Sequence, residues 1–187
     1  PHGSAVVHAW MRLEVERQMT DELERVSREI SPMGEYLLRW ALDLLIEDRN
    51  YHDNVRPPWL VSGVGSEAFE VDRMLKGAMV AIEFQGRYHH RVPGMTPEEE
   101  SRVQAQIERD NIKAGLLARA GIRLVEFSGR DLSFERIVEK MNGVVQLQTS
   151  FLDALRRRPL VRKLSEMMQS YRNYVEKDGR RRTSTAS

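Results

Sequence analysis

Apolar and polar residues alternate along two neighbouring segments of the chain, FEVDRM (residues 69–74) and MVAIEFQ (residues 79–85). A period of two predicts a pair of β-strands. If residues 76–77 form a two-residue turn, the strands pair as an antiparallel hairpin with Leu75 opposite Ala78.

Two carboxylates occupy interior positions of these predicted strands, where acidic residues are uncommon. The expected register places Glu70 opposite Glu83, and it puts Asp72, Glu83 and Gln85 on one face. Diagonal neighbours on such a face lie roughly 7–8 Å apart, so Asp72 and Glu83 can share one divalent cation. The alternative interpretation is a solvated hairpin face that carries incidental acids.

A helix with clear boundary signals follows the hairpin. Thr96 is the expected N-cap, Pro97 the first helical residue and Glu99 the capping-box partner. Gly121 is the expected terminating residue after the helix. The pattern therefore predicts a helix over residues 96–120.

This helix carries charged residues that can face the hairpin. Asp110 and Lys113 are three residues apart and share a helix face, with Arg109 beside them. The apolar segment IRLVEF (residues 122–127) follows and is predicted to be a buried strand. Strands and helices in this order predict an α/β fold.

The order of these features resembles the PD-(D/E)xK restriction-endonuclease-like superfamily. An acid lies on one strand, EFQG with a histidine three residues after the glycine follows on the next, and RDNIK lies on the helix. The pattern is most similar to the branch of very-short-patch-repair-type and phage homing endonucleases. The resemblance covers about residues 31–142 and implies a restriction-endonuclease-like core, with a mixed sheet of about four strands flanked by helices.

The resemblance also implies roles for individual residues. Asp72 and Glu83 become ligands of Mg²⁺ or Mn²⁺, with the carbonyl oxygen of Phe84 as a third ligand. His89 takes the family's histidine position, and Asp110 takes the position of the helix acid. Glu35, on a helix preceding the sheet, fits an accessory acid. Alternatively, Glu35 is a first-turn glutamate favoured by the helix dipole.

The chain departs from the superfamily motif at Gln85, which stands where the motif has lysine. Glutamine can donate a hydrogen bond to a phosphate but cannot accept a proton as a base. Three candidates remain for activating the attacking water: hydroxide at the metal, His89 as a general base, or Lys113 reaching in from the helix. Lys113 and Arg109 are also expected to oppose negative charge at the phosphate, with Arg109 as a nucleic-acid contact.

Charge is distributed unevenly along the chain. Residues 151–187 hold ten Lys or Arg and four Asp or Glu, whereas the preceding residues hold nineteen and twenty-four. A basic segment on an acidic body is expected where a protein grips a polyanion, and Arg156, Arg157 and Arg158 are the candidate phosphate contacts. One alternative is a merely solvated helix with a frayed tail. For these three arginines, another is interaction with the last carbonyls of the preceding helix.

Two helical segments flank the proposed core and complete the expected organisation. We expect an N-terminal amphipathic helix over residues 5–30, the nuclease-like core over residues 31–142 and a basic helical extension with a tail over residues 143–187. The terminal helices could dock a protein partner. The first four residues resemble a cloning scar, so the natural chain is expected to extend further.

Composition excludes several other classes of protein. The chain has no cysteine, which excludes disulfides and cysteine nucleophiles and favours a cytoplasmic protein. Its apolar runs are shorter than the ~18 residues that a membrane span needs, so no membrane partner is expected. No signal peptide is visible.

Together these patterns predict a Mg²⁺- or Mn²⁺-dependent DNA endonuclease or nickase that hydrolyses phosphodiester bonds. The competing interpretation is an inactive nuclease-fold module for nucleic-acid binding or assembly within a larger protein or complex.

Overall fold

A computed structural model describes residues 33–48, 50–63, 65–86, 95–147 and 159–184. Three of the sequence predictions lie outside these ranges: the amphipathic helix over residues 5–30, the site histidine His89 and the basic cluster Arg156, Arg157 and Arg158.

Four strands form one mixed sheet in the order β1-β2-β3-β4. Their bounds are β1 Tyr51–Val55, β2 Val71–Leu75, β3 Val80–Gln85 and β4 Arg123–Ser128. The first two pairings are antiparallel, and β3 pairs with β4 in parallel. The predicted α/β class with a four-stranded mixed sheet is confirmed for the described residues.

The described helices surround this sheet. They are α1 Met33–Leu45, α2 Pro97–Arg119, α3 Phe134–Met141 and α4 Pro159–Ser184, with a 3₁₀ turn at Gly129–Asp131 between β4 and α3. No described helix is long and apolar enough to cross a membrane.

Helix α2 begins and ends where the sequence predicted. The Thr96 side chain accepts from the Glu99 backbone N–H, and the Glu99 carboxylate accepts from the Thr96 N–H, which completes a capping box. Pro97 occupies the first turn. After the helix, Gly121 has a φ of +71°, a conformation that side chains disfavour.

The sheet separates two apolar clusters because alternate side chains along a strand point to opposite faces. The larger cluster joins one sheet face to α1, α3 and α4, through residues that include Leu37, Leu75, Ile82, Phe127 and Leu164. The smaller cluster joins the other face to α2 and includes Leu60, Met74, Ala81, Leu117 and Ile122. The α2 side of the sheet is therefore less completely apolar.

Strand β4 is only half-buried, although the sequence predicted a buried strand. Val125 and Phe127 are buried on the larger cluster, whereas Arg123 and Glu126 are exposed. A crossover strand covered on both faces would exclude these charges. Glu126 is exposed because α2 leaves part of its sheet face open to solvent. Arg123 lies on the same face as Val125 and is the first residue of the strand.

The connection between β2 and β3 differs from the predicted two-residue turn. The turn has four residues, 76–79, so that Leu75 pairs with Val80 instead of Ala78. Met79 adopts a φ of +53° and its carbonyl accepts from the Arg123 N–H, which ties the end of the turn to β4. The predicted register is therefore wrong by two residues.

The first half of α4 is part of the larger cluster. Leu160, Val161, Leu164 and Met168 are buried there. Further along, the Tyr171 ring lies against the Phe84 ring, with 6.3 Å between centroids. Helix α4 therefore packs along the sheet and begins at Pro159, a residue tolerated in the first turn.

A buried arginine ties β2 to β1 and α1 on the side of the larger cluster. The Arg73 side chain is only 2% exposed. Its guanidinium donates to both carboxylate oxygens of Asp53, at 2.6 and 2.9 Å, and to Asp43 at 2.6 Å. It also lies 4.0 Å from the ring centroid of Tyr51. Forked, charge-assisted bonds of this kind hold three elements in one arrangement.

We expect Arg73→Met to destabilise the protein strongly, because two partly buried carboxylates lose their cation. Breaking a buried ion pair from one side costs roughly 3–5 kcal/mol. The free energy of unfolding in urea measures the loss. Arg56→Met is the matched control, since Arg56 bonds Glu70 at the surface and its loss should cost less than about 1 kcal/mol. Similar small losses in both variants would contradict a structural role for Arg73.

Candidate functional site

Asp72 and Glu83 lie on the same face of the sheet. Arg73 pairs with Ile82, and the next pair in that register is Asp72 with Glu83. Directly opposed residues have Cβ atoms about 4.5–5.5 Å apart, closer than the diagonal arrangement expected from the sequence. Asp72, Glu83 and Gln85 share one face despite the error in register, because a shift of two residues keeps every side chain on its face.

Helix α2 brings a cation to this pair of carboxylates. Lys113 Nζ lies 2.7 Å from Glu83 Oε2 and donates a second hydrogen bond to the Glu70 carbonyl, at 3.2 Å. Only 12% of the Lys113 side chain and 9% of the Glu83 side chain are exposed. A lysine from the helix therefore contacts the strand acid directly.

Asp110, the acid expected on the helix, lies near the same pair. Its carboxylate accepts from the Gln106 side-chain amide at 2.8 Å. Its negative charge contributes to raising the pKa of Glu83. Asp110 is thus close enough to influence Glu83 electrostatically.

Glu35 approaches the cluster from α1, where it lies in the first turn as predicted. Burial, followed by the charge of Asp72, raises the pKa of Glu35 above its ordinary value. Arg39 forms an ion pair with Glu35, accompanied by hydrogen bonds to the Asn54 side chain and to the Asp72 carbonyl. Arg39 therefore links α1 to β1 and β2 beside the site.

Phe84 contributes its backbone to the cluster. Its N–H donates to Asp72 Oδ2 at 2.7 Å, which fixes the Asp72 side chain against β3. Its ring fills the space beside Gly34, where an added Cβ would come within 2.3 Å of the ring. The carbonyl of Phe84 as a metal ligand stays a prediction from the resemblance.

Gln85 meets a residue that the sequence analysis did not select. Its Nε2 donates to Glu126 Oε1 at 2.6 Å. Glu126 pairs with Glu83 across the parallel β3–β4 ladder, so both side chains lie on the α2 side of the sheet. The only sequence signal was a charged residue inside IRLVEF, and without the strand pairing it had no assigned neighbour.

Burial, followed by the charge of Asp72, raises the pKa of Glu83 to about 7, while Lys113 acts in the opposite direction. Burial also raises the pKa of Asp72, against the hydrogen bond from the Phe84 N–H and the charge of Lys113. Ionising both carboxyl groups therefore costs free energy unless more positive charge is present in the site.

Two acceptor atoms of the site are buried without a hydrogen-bond donor among the described residues. They are Glu83 Oε1 and Gln85 Oε1, two positions apart on one face of β3. An unsatisfied buried acceptor is costly, so such atoms point to a missing proton donor or cation.

Arg109 does not join the carboxylates. Its guanidinium lies 5.8 Å from the ring centroid of Phe69, and its side chain is exposed. Within the ranges that the structure describes, no three His, Asp or Glu side chains are gathered as a metal-ligand set. A cation held by Asp72 and Glu83 would therefore complete its coordination with amide or backbone oxygens or with water.

Comparison of the chain with family models, with curated proteins and with solved structures finds no match.

We expect the ionisation of Glu83 to make the protein less stable as pH rises. Its pKa of about 7 in the folded protein exceeds its ordinary value near 4.5, so the folded state holds the extra proton between these values. The free energy of unfolding should fall across this window, by up to the order of 3 kcal/mol. Urea unfolding of wild type and Glu83→Gln at pH 5, 6, 7 and 8 measures the effect.

The difference between the two unfolding curves isolates this residue, because other groups titrate in both proteins. Glu83→Gln should gain stability relative to wild type as pH rises from 5 to 8. Glu108→Gln, an exposed change on α2, is the control and should leave the difference constant. A constant difference for Glu83→Gln as well would mean that Glu83 ionises at its ordinary pKa.

Proposed function

We propose that the protein is a nuclease that hydrolyses phosphodiester bonds of DNA with the help of Mg²⁺ or Mn²⁺, acting as an endonuclease or nickase. The observation that carries the proposal is the opposed pair Asp72 and Glu83, with a buried oxygen of Glu83 that no described donor satisfies. The resemblance to the PD-(D/E)xK superfamily supports the same chemistry.

The donor set of this site fits a hard divalent cation. Carboxylate and amide oxygens are the ligands that Mg²⁺ prefers, and it keeps several waters when few protein ligands are available. Asp72 and Glu83 would hold the cation, whose charge would offset the cost of ionising two neighbouring buried acids. When bound, the cation supplies polarisation of the phosphate and a lower pKa for a water molecule.

Lys113 can perform the electrostatic task that the superfamily motif assigns to a strand lysine. Two of its three N–H groups bond Glu83 and the Glu70 carbonyl, which holds the ammonium beside the acids. The remaining N–H can donate to a phosphate oxygen as negative charge builds up there. Gln85 cannot take this part, because its amide carries no positive charge. One N–H of its amino group is also bonded to Glu126.

The acids also set the pH range in which the site can work. A carboxyl group binds a metal ion only after it loses its proton, so metal binding competes with protonation of Glu83. With a pKa of about 7, Glu83 favours cation binding from neutral pH upwards. His89 remains one of the three candidates for activating the attacking water, with hydroxide at the metal and Lys113.

The test of the proposed function is cleavage of supercoiled plasmid with Mg²⁺ or Mn²⁺, with and without a chelator. Asp72→Asn and Glu83→Gln should each slow nicking by roughly 100-fold or more, because each weakens the charge stabilisation that the cation provides. Lys113→Arg should retain more activity than Lys113→Ala. Glu108→Gln, on the exposed side of α2, should cleave like wild type.

Cleavage that survives both acid substitutions would overturn the assignment of the site. The inactive binding module is the competing outcome, and the uncharged Gln85 at the position of the motif lysine is the observation in its favour. In that case wild type binds DNA and leaves the plasmid intact with either metal.

A separate prediction concerns the basic segment before α4. Replacing Arg156, Arg157 and Arg158 by glutamine should weaken binding to all DNA sequences about equally, if these residues bind phosphates. The slope of log affinity against log salt should become shallower by about 0.9 for each phosphate that the variant no longer neutralises. Fluorescence anisotropy of labelled duplexes at several salt concentrations measures this slope.

The matched control for the basic segment neutralises Arg119 and Arg123, which are exposed at the end of α2 and the start of β4. This double variant should keep the wild-type slope. An unchanged slope in the triple variant, combined with loss of solubility or assembly, would place the basic segment at a protein interface.

A further inference from the structure

The side-chain amide of Gln85 has one orientation that fits its surroundings. Glu126 Oε1 is a hydrogen-bond acceptor, so the amide atom at 2.6 Å from it must be the amino group Nε2. This assignment leaves the carbonyl oxygen Oε1 as the second polar atom of the amide. The hydrogen bond to Glu126 therefore leaves the carbonyl oxygen of Gln85 to contact other groups.

That remaining oxygen is buried and accepts no hydrogen bond from any residue that the structure describes. The same is true of Glu83 Oε1, on a side chain that is nine-tenths buried. Residues 83 and 85 point to the same sheet face, which also carries Asp72. The sheet face therefore carries two buried acceptor oxygens without a described hydrogen-bond donor, although Lys113 bonds the other oxygen of Glu83.

We propose that Gln85 is a ligand of the divalent cation held by Asp72 and Glu83, through its carbonyl oxygen, and that Glu126 is the positioning residue that orients its amide. The proposal rests on the proposed function and deepens it, since it assigns a third side-chain ligand. Gln85 is then not a weak substitute for the motif lysine. It supplies a neutral oxygen, while Lys113 supplies the positive charge.

Glu126 acts on the cation through Gln85, as outer hydrogen-bond partners commonly do for metal ligands. The parallel pairing of Glu83 with Glu126 places Glu126 beside the strand that carries both proposed ligands. Its carboxylate is exposed and needs no compensation for burial. Loss of its acceptor would free the amide to rotate and present its amino group, which repels a cation.

The experiment measures Mn²⁺ binding to the full chain at pH 8 by calorimetry and by electron paramagnetic resonance, without any substrate. Glu83→Gln defines the site and should abolish most binding. Gln85→Met, which removes the oxygen at similar size, should weaken binding by roughly 10- to 100-fold. The double variant Gln85→Glu with Glu126→Gln should bind at least as tightly as wild type. It keeps an oxygen at position 85, adds negative charge and retains a hydrogen bond between the two side chains.

Gln85→Lys separates the proposal from the view that Gln85 replaces the motif lysine. This substitution removes an oxygen ligand and adds a positive charge beside the metal. It should therefore weaken Mn²⁺ binding at least about tenfold. If Gln85 is only a replacement for the motif lysine and does not bind the cation, Gln85→Lys should keep the wild-type Mn²⁺ affinity and increase the rate of cleavage. That result would overturn the proposal and leave the proposed function in place.

The positioning role of Glu126 has its own pair of variants. Glu126→Met removes the acceptor and should weaken Mn²⁺ binding about tenfold. Glu126→Gln removes the charge but keeps an acceptor oxygen for Gln85 Nε2, so it should retain most of the affinity. Glu108→Met is the matched control, because Glu108 accepts from Gln104 in an exposed pair on α2. It should bind Mn²⁺ like wild type.

The remaining outcomes distinguish failure of the ligand assignment from failure of the metal site. Wild-type affinity in Gln85→Met overturns the ligand assignment, and equal losses in both Glu126 variants overturn the positioning role. Thermal unfolding without Mn²⁺ identifies a misfolded variant. If Gln85→Met misfolds, retained binding by the double variant Gln85→Glu with Glu126→Gln supports the proposal, and loss of its binding overturns the proposal. Wild type that binds no Mn²⁺ overturns the metal site together with the proposed function.

Discussion

The pairing register of β2 with β3 is the constraint on which both charged clusters of this protein depend. It places Asp72 opposite Glu83 on the α2 side and Arg73 beside Ile82 on the side of α1, α3 and α4. A slip of one residue would exchange the two faces. The carboxylate would then enter the larger apolar cluster, and the guanidinium would lose Asp43 and Asp53.

The two clusters differ in how far their charges are compensated. Arg73 is almost fully buried, yet each of its nitrogens has an acceptor within the described part of the chain. Glu83 is comparably buried, but Lys113 satisfies only one of its oxygens. The Arg73 side therefore compensates its buried charge fully, whereas Glu83 keeps one buried oxygen without a described hydrogen-bond donor.

The sequence by itself determined the features that depend on local spacing. The alternation of apolar and polar residues assigned Asp72, Glu83 and Gln85 to one face, and this assignment holds for any register shifted by an even number. The capping box at Thr96 and the glycine at Gly121 set the bounds of α2 through interactions within a few residues. The cation with oxygen ligands that these residue types suggested stays a prediction.

Only the tertiary structure decided which of these residues meet. The turn over residues 76–79 ends at Met79, whose carbonyl accepts a hydrogen bond from the Arg123 N–H. No local sequence pattern encodes this hydrogen bond. The Gln85–Glu126 bond requires β4 to pair in parallel with β3 after a long helical crossover. Such partners lie about forty residues apart, and their choice depends on how the whole core packs, so periodicity along the chain could not identify them.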